Sequence, residues 1–551
     1  MTEPMSRDAS ASIAAPGAAG VLATLGAAQF VMTLDSSVMN VSMATVAKDI
    51  GTTITGIQTA ITLYTLVMAT LMITGGKIGS IIGRKRAFLI GCVIYGAGSL
   101  TTGLAPSLPV LLVGWSLLEG MGAALIMPAI VALVASNFVG SERPKAYGLI
   151  AAAGAIAVAA GPLIGGAATT YVSWRLVFFG EVVIVVGIFV LSRKFADVPV
   201  TEKPRLDLVG TALSIIGLGT AVFGVLRSSE WGWVAPKPGR PSILGISPTF
   251  WLIAAGSLVV WIFFRWQAHL VSSGGDPLIR PEMLANRQLA GGLTMFFFQF
   301  LLQAGVFFVV PLFLSVVLGL SAIGTGVRVM PLSIALLAGA IGVPRLWPRV
   351  APRLVVRIGL LLMLAGIVVL MSGIDIDAAA GVVAVPMAFL GLGIGALASQ
   401  LGAVTVSSVA ESESGEVGGL QNTATNLGAS LGTALAGSVL IAVLTSSLLG
   451  GIQSNPDVPA AVKDRAGVQL ASGVSFVSDS SLHAALTDAG VDGKTSDAIV
   501  TENRTARIAG LDAALAVLAF IALLSLFFTG RLPDRPAEPE EPFGTDRDAA
   551  P

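Results

Sequence analysis

Runs of about 20 apolar residues recur along the 551-residue chain, separated by short polar or Pro/Gly-rich breaks. A helix rises 1.5 Å per residue, so a run of that length spans the roughly 30 Å hydrocarbon core of a bilayer. The pattern predicts fourteen membrane-spanning helices, near 20–44, 55–76, 86–105, 108–136, 147–171, 177–195, 207–227, 249–267, 289–314, 323–343, 355–373, 382–407, 417–446 and 509–529. The stretch WGWVAPKPGRPS (231–242) is a clear break between the seventh and eighth. An even number of crossings puts both ends on one side of the membrane.

Lys and Arg decide which side. With the N-terminus cytoplasmic, inner segments carry 21 basic residues and outer segments 11, five of the latter in the long segment 447–508. Both termini are therefore expected in the cytoplasm. Three polar pieces interrupt the apolar pattern. Segment 447–508, with stretches such as AAVKDRAGVQLA (460–471), reads as an extracellular hairpin or helical cap. The tail 531–551 is rich in Pro and acid and reads as disordered. The inner loop near 193–207 separates the first six helices from the rest.

Composition narrows the class further. The chain is 54% hydrophobic and 12% charged, with a mean hydropathy of +0.86, values foreign to a water-soluble domain of this size. Net charge is zero, so nothing points to nucleic acid. The single cysteine, Cys92, lies in an apolar span and has no intramolecular partner for a disulfide. Both histidines, His269 and His483, fall in connecting segments, so no histidine metal site or intramembrane histidine relay is expected. Residues 1–17 carry no cleavage signature, and the first span is full-length, which reads as an uncleaved helix. No GxxxxGK[ST] loop occurs, so no nucleotide or other cofactor is implied and the energy source is a gradient or mass action.

Against this background Asp35 stands out, in the run FVMTLDSSVMNVSMATV (30–46). A mid-membrane acid costs about 2.5–3.5 kcal/mol on insertion scales, and such groups face a bundle interior or an aqueous cavity. Proton or cation handling is the chemistry it suggests. In GGKIGSIIGRKRAFLIG (75–91), glycines 76, 79 and 83 make a tight turn ahead of Arg84, Lys85 and Arg86; charge alone would make this only a topogenic loop. In AGPLIGG (160–166), preceded by Gly154, the Gly161-x3-Gly165 spacing permits close helix contact and Pro162 bends the helix.

These segments together resemble the major facilitator superfamily. Gly76, Ile78, Gly83, Arg84 and Lys85 fit its signature loop between the second and third helices, with Ser80 at the usual aspartate position. LDSSVMNVSM (34–43), with Asp35 and Asn40 in register, resembles the first-helix motif of the fourteen-helix drug:proton antiporters. AGPLIGG is similar to the antiporter motif of the fifth helix, and SWRLVFFGEV (173–182) to the start of the sixth. The resemblance covers nearly the whole chain. It implies an all-α polytopic membrane protein of the major facilitator fold, with two six-helix bundles and two additional linking helices. The expected division is a tail at 1–19, bundles at 20–195 and 289–530, a linker with the two extra helices at 196–288, and the tail 531–551.

The fourth helix, LLVGWSLLEGMGAALIMPA (111–129), departs from the family. An arginine followed three residues later by a glutamine is replaced by Ser116 and Glu119, which share a face in a regular helix. The resemblance implies that Asp35 and Glu119 look into one cavity with no arginine to hold either ionised. Burial and a second carboxyl both disfavour ionisation, so such a pair suits proton loading and release. Glu181 is a third proton-coupling candidate, although pairing with Arg175 is its simpler role.

In the ninth span, Gln299 and Gln303 lie one turn apart among Met295, Phe296, Phe297, Phe300, Phe307 and Phe308, about half of which should face lipid. Asn40, Ser116, Gln299, Gln303, Phe300 and Gln400 are the expected substrate contacts, with Asn422 and Asn426 weaker ones. The expected function is a bacterial, monomeric, multi-pass antiporter of the cytoplasmic membrane. It exports lipophilic, including cationic, drugs in exchange for protons and is not an enzyme. The alternatives are an exporter dedicated to one endogenous metabolite or lipid, and a non-transporting sensor using segment 447–508 as its ligand domain.

Overall fold

The computed structural model describes residues 18–138, 142–193, 205–237, 239–347, 349–409, 414–469 and 476–535. Most of the expected tails, at 1–17 and 536–551, and much of the inner loop, at 194–204, lie outside them. Sixteen helices carry the architecture. They are α1 (Ala18–Asp49), α2 (Ile54–Ile82), α3 (Arg84–Gly103), α4 (108–137), α5 (Glu142–Tyr171), α6 (Arg175–Ser192), α7 (Leu208–Trp231) and α8 (Pro248–Ser272). There follow α9 (Arg287–Leu312), α10 (Ala322–Leu346), α11 (Pro352–Gly373), α12 (Ala384–Val406), α13 (Ser414–Ser454), α14 (Ala460–Gln469), α15 (Asp479–Asp488) and α16 (Gly493–Phe528). Polar side chains start several of them: Thr53 accepts from the Gly56 amide, Asp207 from Gly210, Asn286 from Gln288 and Leu289, and Ser321 from Gly324.

Among the described residues, twelve helices are long and apolar enough to cross a membrane by length and composition. They account for every expected span except the third and fifth. Those two lie on α3, whose sequence is diluted by Gly, Ser and Thr, and on α5, where the described apolar stretch is Ile156–Tyr171. Large apolar side chains exposed on the outside, such as Val183 and Val186 on α6, Trp261 on α8 and Phe527 on α16, form the surface a bilayer would cover.

Helices α1 to α6 form one bundle, in which α1 packs on α5, and α3 on α4 and α6. Helices α9 to α13 with α16 form the second, built on the pairs α9–α13, α10–α12 and α11–α12. Two seams join the bundles, α2 against α13 and α5 against α10, and the α7–α8 hairpin lies along the first of them. Backbones meet closely at these seams. A Cβ on Gly326 would sit 2.1 Å from the Pro162 carbonyl oxygen, and one on Gly166 would sit 2.7 Å from that of Ala322. The hydrogen bonds across the seams are between neutral groups: Gln58 Nε2 to Thr433 O at 3.1 Å, Ser430 Oγ to Thr62 O at 3.2 Å, and the Ile323 amide to Thr170 Oγ1 at 3.0 Å.

Segment 447–508 is largely helical, as one of its two readings expected. Helix α13 runs on to Ser454, α14 and α15 follow, and α16 starts at Gly493, well before the apolar span at 509. Asp479 of α15 pairs with Arg504 (2.6 Å) and with the buried Arg507, and Asn455 Nδ2 donates to Glu502 Oε1 at 2.8 Å. His269, expected in a connection, lies in the last turn of α8, and His483 lies on α15.

Gly161 and Gly165 both face α1. A Cβ on Gly161 would lie 2.3 Å from Ser37 Oγ, and one on Gly165 would lie 2.8 Å from Val38 Cγ2. Gly161→Leu should therefore force α5 off α1, destabilising the protein by about 1–3 kcal/mol as overpacking usually does. A lower midpoint of thermal unfolding in detergent, together with lost transport at matched expression, is the expected result. Wild-type values for both would show that the contact is dispensable.

Candidate functional site

Three acids meet inside the first bundle. Asp35 of α1, Glu119 of α4 and Glu181 of α6 are 0%, 0% and 1% exposed, and one carboxyl oxygen from each lies within 4.8 Å of the other two. The groups that bind them are neutral donors. Trp115 Nε1 donates to Asp35 Oδ1 and Oδ2 at 2.8 and 3.0 Å. Thr102 Oγ1 donates to Glu119 Oε1 at 2.9 Å. Ser99 Oγ and the Tyr95 hydroxyl donate to Glu181 Oε2 at 3.2 and 3.4 Å. Glu119 Oε2 and Glu181 Oε1 are buried and have no hydrogen-bond partner. A buried unpaired polar atom costs about 1–3 kcal/mol, more when charged.

Local helix geometry explains the arrangement. Within α4, Leu112–Glu119 is π-helical, and such bulges are frequent at functional sites because they re-aim side chains. Ser116 and Glu119 consequently do not share a face. Ser116 Oγ donates to Ala60 O of α2 at 2.8 Å, Trp115 turns to Asp35, and Glu119 turns to α3. Ser116, an expected substrate contact, thus donates its hydroxyl to helix packing, while its oxygen can still accept a bond. Helix α3 approaches closely because Gly98 has no side chain: a Cβ there would lie 2.6 Å from Glu119 Cγ. Trp115 is further fixed by stacking on Tyr64, with ring centroids 4.9 Å apart and planes 2° apart.

Glu181 does not pair with Arg175. That arginine instead pairs with Asp49, donates to Ala105 O at 2.9 Å, and lies over the Trp174 ring. Sequence reasoning missed Trp115, Tyr64, Tyr95, Ser99 and Thr102. A signal existed: Tyr and Trp usually gather at membrane interfaces, whereas Tyr64, Tyr95 and Trp115 lie inside apolar spans. All ligating atoms of the cluster are oxygens, a donor set that suits hard cations as well as protons.

The remaining candidates are dispersed. Asn40 Nδ2 donates to Ser36 O at 2.7 Å, and Asn40 lines a small apolar pocket with Pro162, Phe307, Pro311 and Met387, where α1, α5 and α9 meet. Gln299 is 2% exposed with an unpartnered Oε1, while Gln303 and Phe300 are half-buried on the same helix. Gln400 contacts only its neighbour Ser399, at 3.3 Å, among its described hydrogen bonds, and Asn426 donates to Asn422 O at 2.8 Å. Among the aromatics of α9, Phe296 and Phe308 are buried, and Phe297, Phe300 and Phe307 half-buried.

In the signature loop, Gly83 links α2 to α3 at φ +101°, a conformation that favours glycine. Arg84 donates to Ala132 O at 3.2 Å and Lys85 to Arg193 O at 2.7 Å, so this turn reaches the ends of α4 and α6 through carbonyls. Ser80 at the aspartate position donates to Lys77 O at 2.7 Å. A Cβ on Gly76 would lie 3.6 Å from Pro128, and one on Gly154 would lie 3.4 Å from Gln29, ordinary or slightly tight contacts.

The family profile described as the Major Facilitator Superfamily matches residues 25–433. The chain belongs to this superfamily. As a member it is a transporter and not an enzyme. The puromycin resistance protein pur8 of Streptomyces alboniger is 30% identical over 434 residues, covering 76% of this chain and 81% of that one. The tetracenomycin C resistance and export protein of Streptomyces glaucescens is 27% identical, covering 92% and 90%. The multidrug resistance protein Stp of Mycobacterium tuberculosis is 25% identical, covering 78% and 76%. Among solved structures, a bacterial homolog of the human lysosomal transporter Spinster superposes with a TM-score of 0.58 at 14% identity, covering 94% and 98% of the two chains. That likeness shows the fold.

Trp115→Phe keeps a ring on Tyr64 and removes the N–H that serves both oxygens of Asp35. A hydrogen bond to an ionised group contributes about 1.5–3 kcal/mol. Coupled transport should fall by roughly tenfold or more, since 1.4 kcal/mol is a factor of ten. Unchanged transport would show that Asp35 does not rely on this donor.

Proposed function

We propose that this superfamily member is a proton-coupled exporter of lipophilic, including cationic, compounds. It would work in the bacterial cytoplasmic membrane, as a monomer of fourteen spans with α3 and α5 completing the twelve and both termini inside. The observation that carries the reading is the cluster of Asp35, Glu119 and Glu181 without a basic partner among the hydrogen bonds that hold it. Two unit charges 4.8 Å apart repel by about 3.5 kcal/mol even at an effective dielectric of about 20. Three carboxylates therefore cannot all stay ionised in this space, and protons are the simplest neutralising agents.

Exchange then follows. Protons enter from the outer side and neutralise the cluster; opening to the inner side releases them, and an ionised acid is left to attract cargo. Asn40, Gln299, Gln303, Phe300 and Gln400 are the proposed cargo contacts, in the region where the bundles face each other. Rocking about the α2–α13 and α5–α10 seams supplies alternating access. The turn at Gly76, Gly83, Arg84 and Lys85 acts as the latch, and Gly154, Gly161, Pro162 and Gly165 form the sliding face. A potential of 100 mV supplies about 2.3 kcal/mol per charge moved, enough for substantial accumulation. The names of the relatives, resistance and export proteins for antibiotics, support drug-type cargo.

Reconstitution in liposomes with an imposed pH gradient and a panel of lipophilic cations and neutral dyes tests this. Wild type should move several unrelated compounds, and Asp35→Asn should abolish gradient-driven movement while remaining folded. Glu119→Gln should alter the pH dependence and weaken cationic cargo more than neutral cargo. Continued accumulation by Asp35→Asn removes Asp35 as the coupling group. Drive by a sodium gradient and not a pH gradient would assign the oxygen cluster to a metal cation. Movement of a single endogenous compound would favour the dedicated exporter.

A further inference from the structure

A fourth acid inside an apolar helix takes no part in the cluster. Asp512 lies in the run LDAALAVLAFIALLSLFF (511–528) of α16 and is half-buried. Its Oδ1 is inaccessible and has no hydrogen-bond partner. The side chain opens into a crevice of about 520 Å³ between α11 and α16, lined by Val368, Met371, Ser372, Asp512, Ala516 and Ala519. The crevice is shallow and open along most of its length. The neighbouring outer surface is apolar and exposed, with Val368 at 50%, Leu361 at 50% and Phe520 at 65%, so the mouth faces lipid and not the bundle interior.

Charge around the crevice has one sign. Its floor sits at the C-terminal turn of α11, the negative end of a helix dipole, and the loop that follows carries exposed Asp375 and Asp377. No Lys or Arg occurs in the sequence from 358 to 462. The nearest cation along α16, Arg507, is 1% exposed and engaged by Asp479 and by the carbonyls of Val477 and Val316. Asp512 is the second residue of that apolar run, close to the polar segment that leads into it, and a positively charged ligand would offset its charge.

We infer that the α11–α16 crevice is a lateral binding site for an ammonium headgroup carrying an apolar tail, with Asp512 as its counter-ion. The tail lies along Val368, Ala516 and Ala519, and the headgroup sits between Asp512 and the end of α11. Such a ligand is either a membrane lipid with a primary amine or a free cationic amphiphile collected from the bilayer; both present the same chemistry. The site is separate from the Asp35 cluster, which lies in the other bundle, so it stands independently of the coupling mechanism.

The test uses full-length protein in nanodiscs of an anionic lipid without amine headgroups. Binding of radiolabelled dodecylammonium is measured for wild type, Asp512→Asn, Ala516→Leu and Asp35→Asn. Wild type and Asp35→Asn should show a saturable site that Asp512→Asn weakens at least tenfold. Ala516→Leu, which fills the crevice and leaves the charge, should weaken it as well. Phosphatidylethanolamine added to the discs should compete if the resident is a lipid; failure to compete, with the other results intact, assigns the site to free amphiphiles. Equal binding by wild type and Asp512→Asn, or equal binding of uncharged dodecanol, overturns the inference. So does loss of binding only in Asp35→Asn, which would place the ligand in the central cluster.

Discussion

Three carboxyl groups share a space with no cation among their described hydrogen-bond partners, and much of the first bundle is arranged around that constraint. The interior of a membrane protein offers no bulk water to hydrate an ionised acid. Asp35, Glu119 and Glu181 therefore receive one donor from each direction, Trp115, Thr102, Ser99 and Tyr95. Those donors need close helix approach, which Gly98 on α3 supplies, and they need re-aimed side chains, which the π-helical turn at Leu112–Glu119 supplies. The two oxygens left unpartnered keep the cluster short of full satisfaction. A fully satisfied network would be rigid; one short of two bonds can exist in more than one protonation state.

The seams follow a complementary logic. Without a hydrophobic drive between helices in lipid, association rests on van der Waals contact and on hydrogen bonds, and small residues let backbones approach. Glycines 166 and 326 do this between α5 and α10, and Gly437 lets Gln58 reach the Thr433 carbonyl between α2 and α13. These contacts are neutral, so separating them exposes no buried charge. Ion pairs are used elsewhere: Asp479 with Arg504 and Arg507 ties the polar cap to α16, and Asp49 with Arg175 ties α1 to α6 within one bundle. These ion pairs lie within bodies, and the hydrogen bonds named between them are neutral.

The α7–α8 hairpin is locked by a different acid. Asp207 caps α7 and also accepts from Trp266 Nε1 at 3.0 Å and Gln267 Nε2 at 2.7 Å on α8, while Gln267 Oε1 accepts the amides of Leu278 and Ile279. A single carboxylate thus joins two helices and the chain that leads to α9. Its two oxygens are satisfied by neutral donors, whereas Glu119 and Glu181 each keep one oxygen without a hydrogen-bond partner.

The sequence by itself determined the all-helical membrane architecture and the position of the helices. Burial in lipid forces every backbone group into a helix, and apolar length reports that directly. It also marked Asp35 and Glu119, because an acid in an apolar run is conspicuous without any coordinates. It misassigned Glu181 to Arg175 and placed Ser116 on the face of Glu119, since both readings assumed regular helices and local partners. A π-turn leaves no trace in hydrophobic spacing, and the Asp49–Arg175 pair joins residues far apart in the chain. For segment 447–508 the sequence left a hairpin or a helical cap open, and the helix Ala460–Gln469 falls on the amphipathic stretch 460–471. Only the tertiary structure decided that three acids from α1, α4 and α6 converge, because that depends on how closely α3 and α4 pack. Such closeness is set by the shapes of particular glycines and aromatics in contact, which a one-dimensional pattern cannot record.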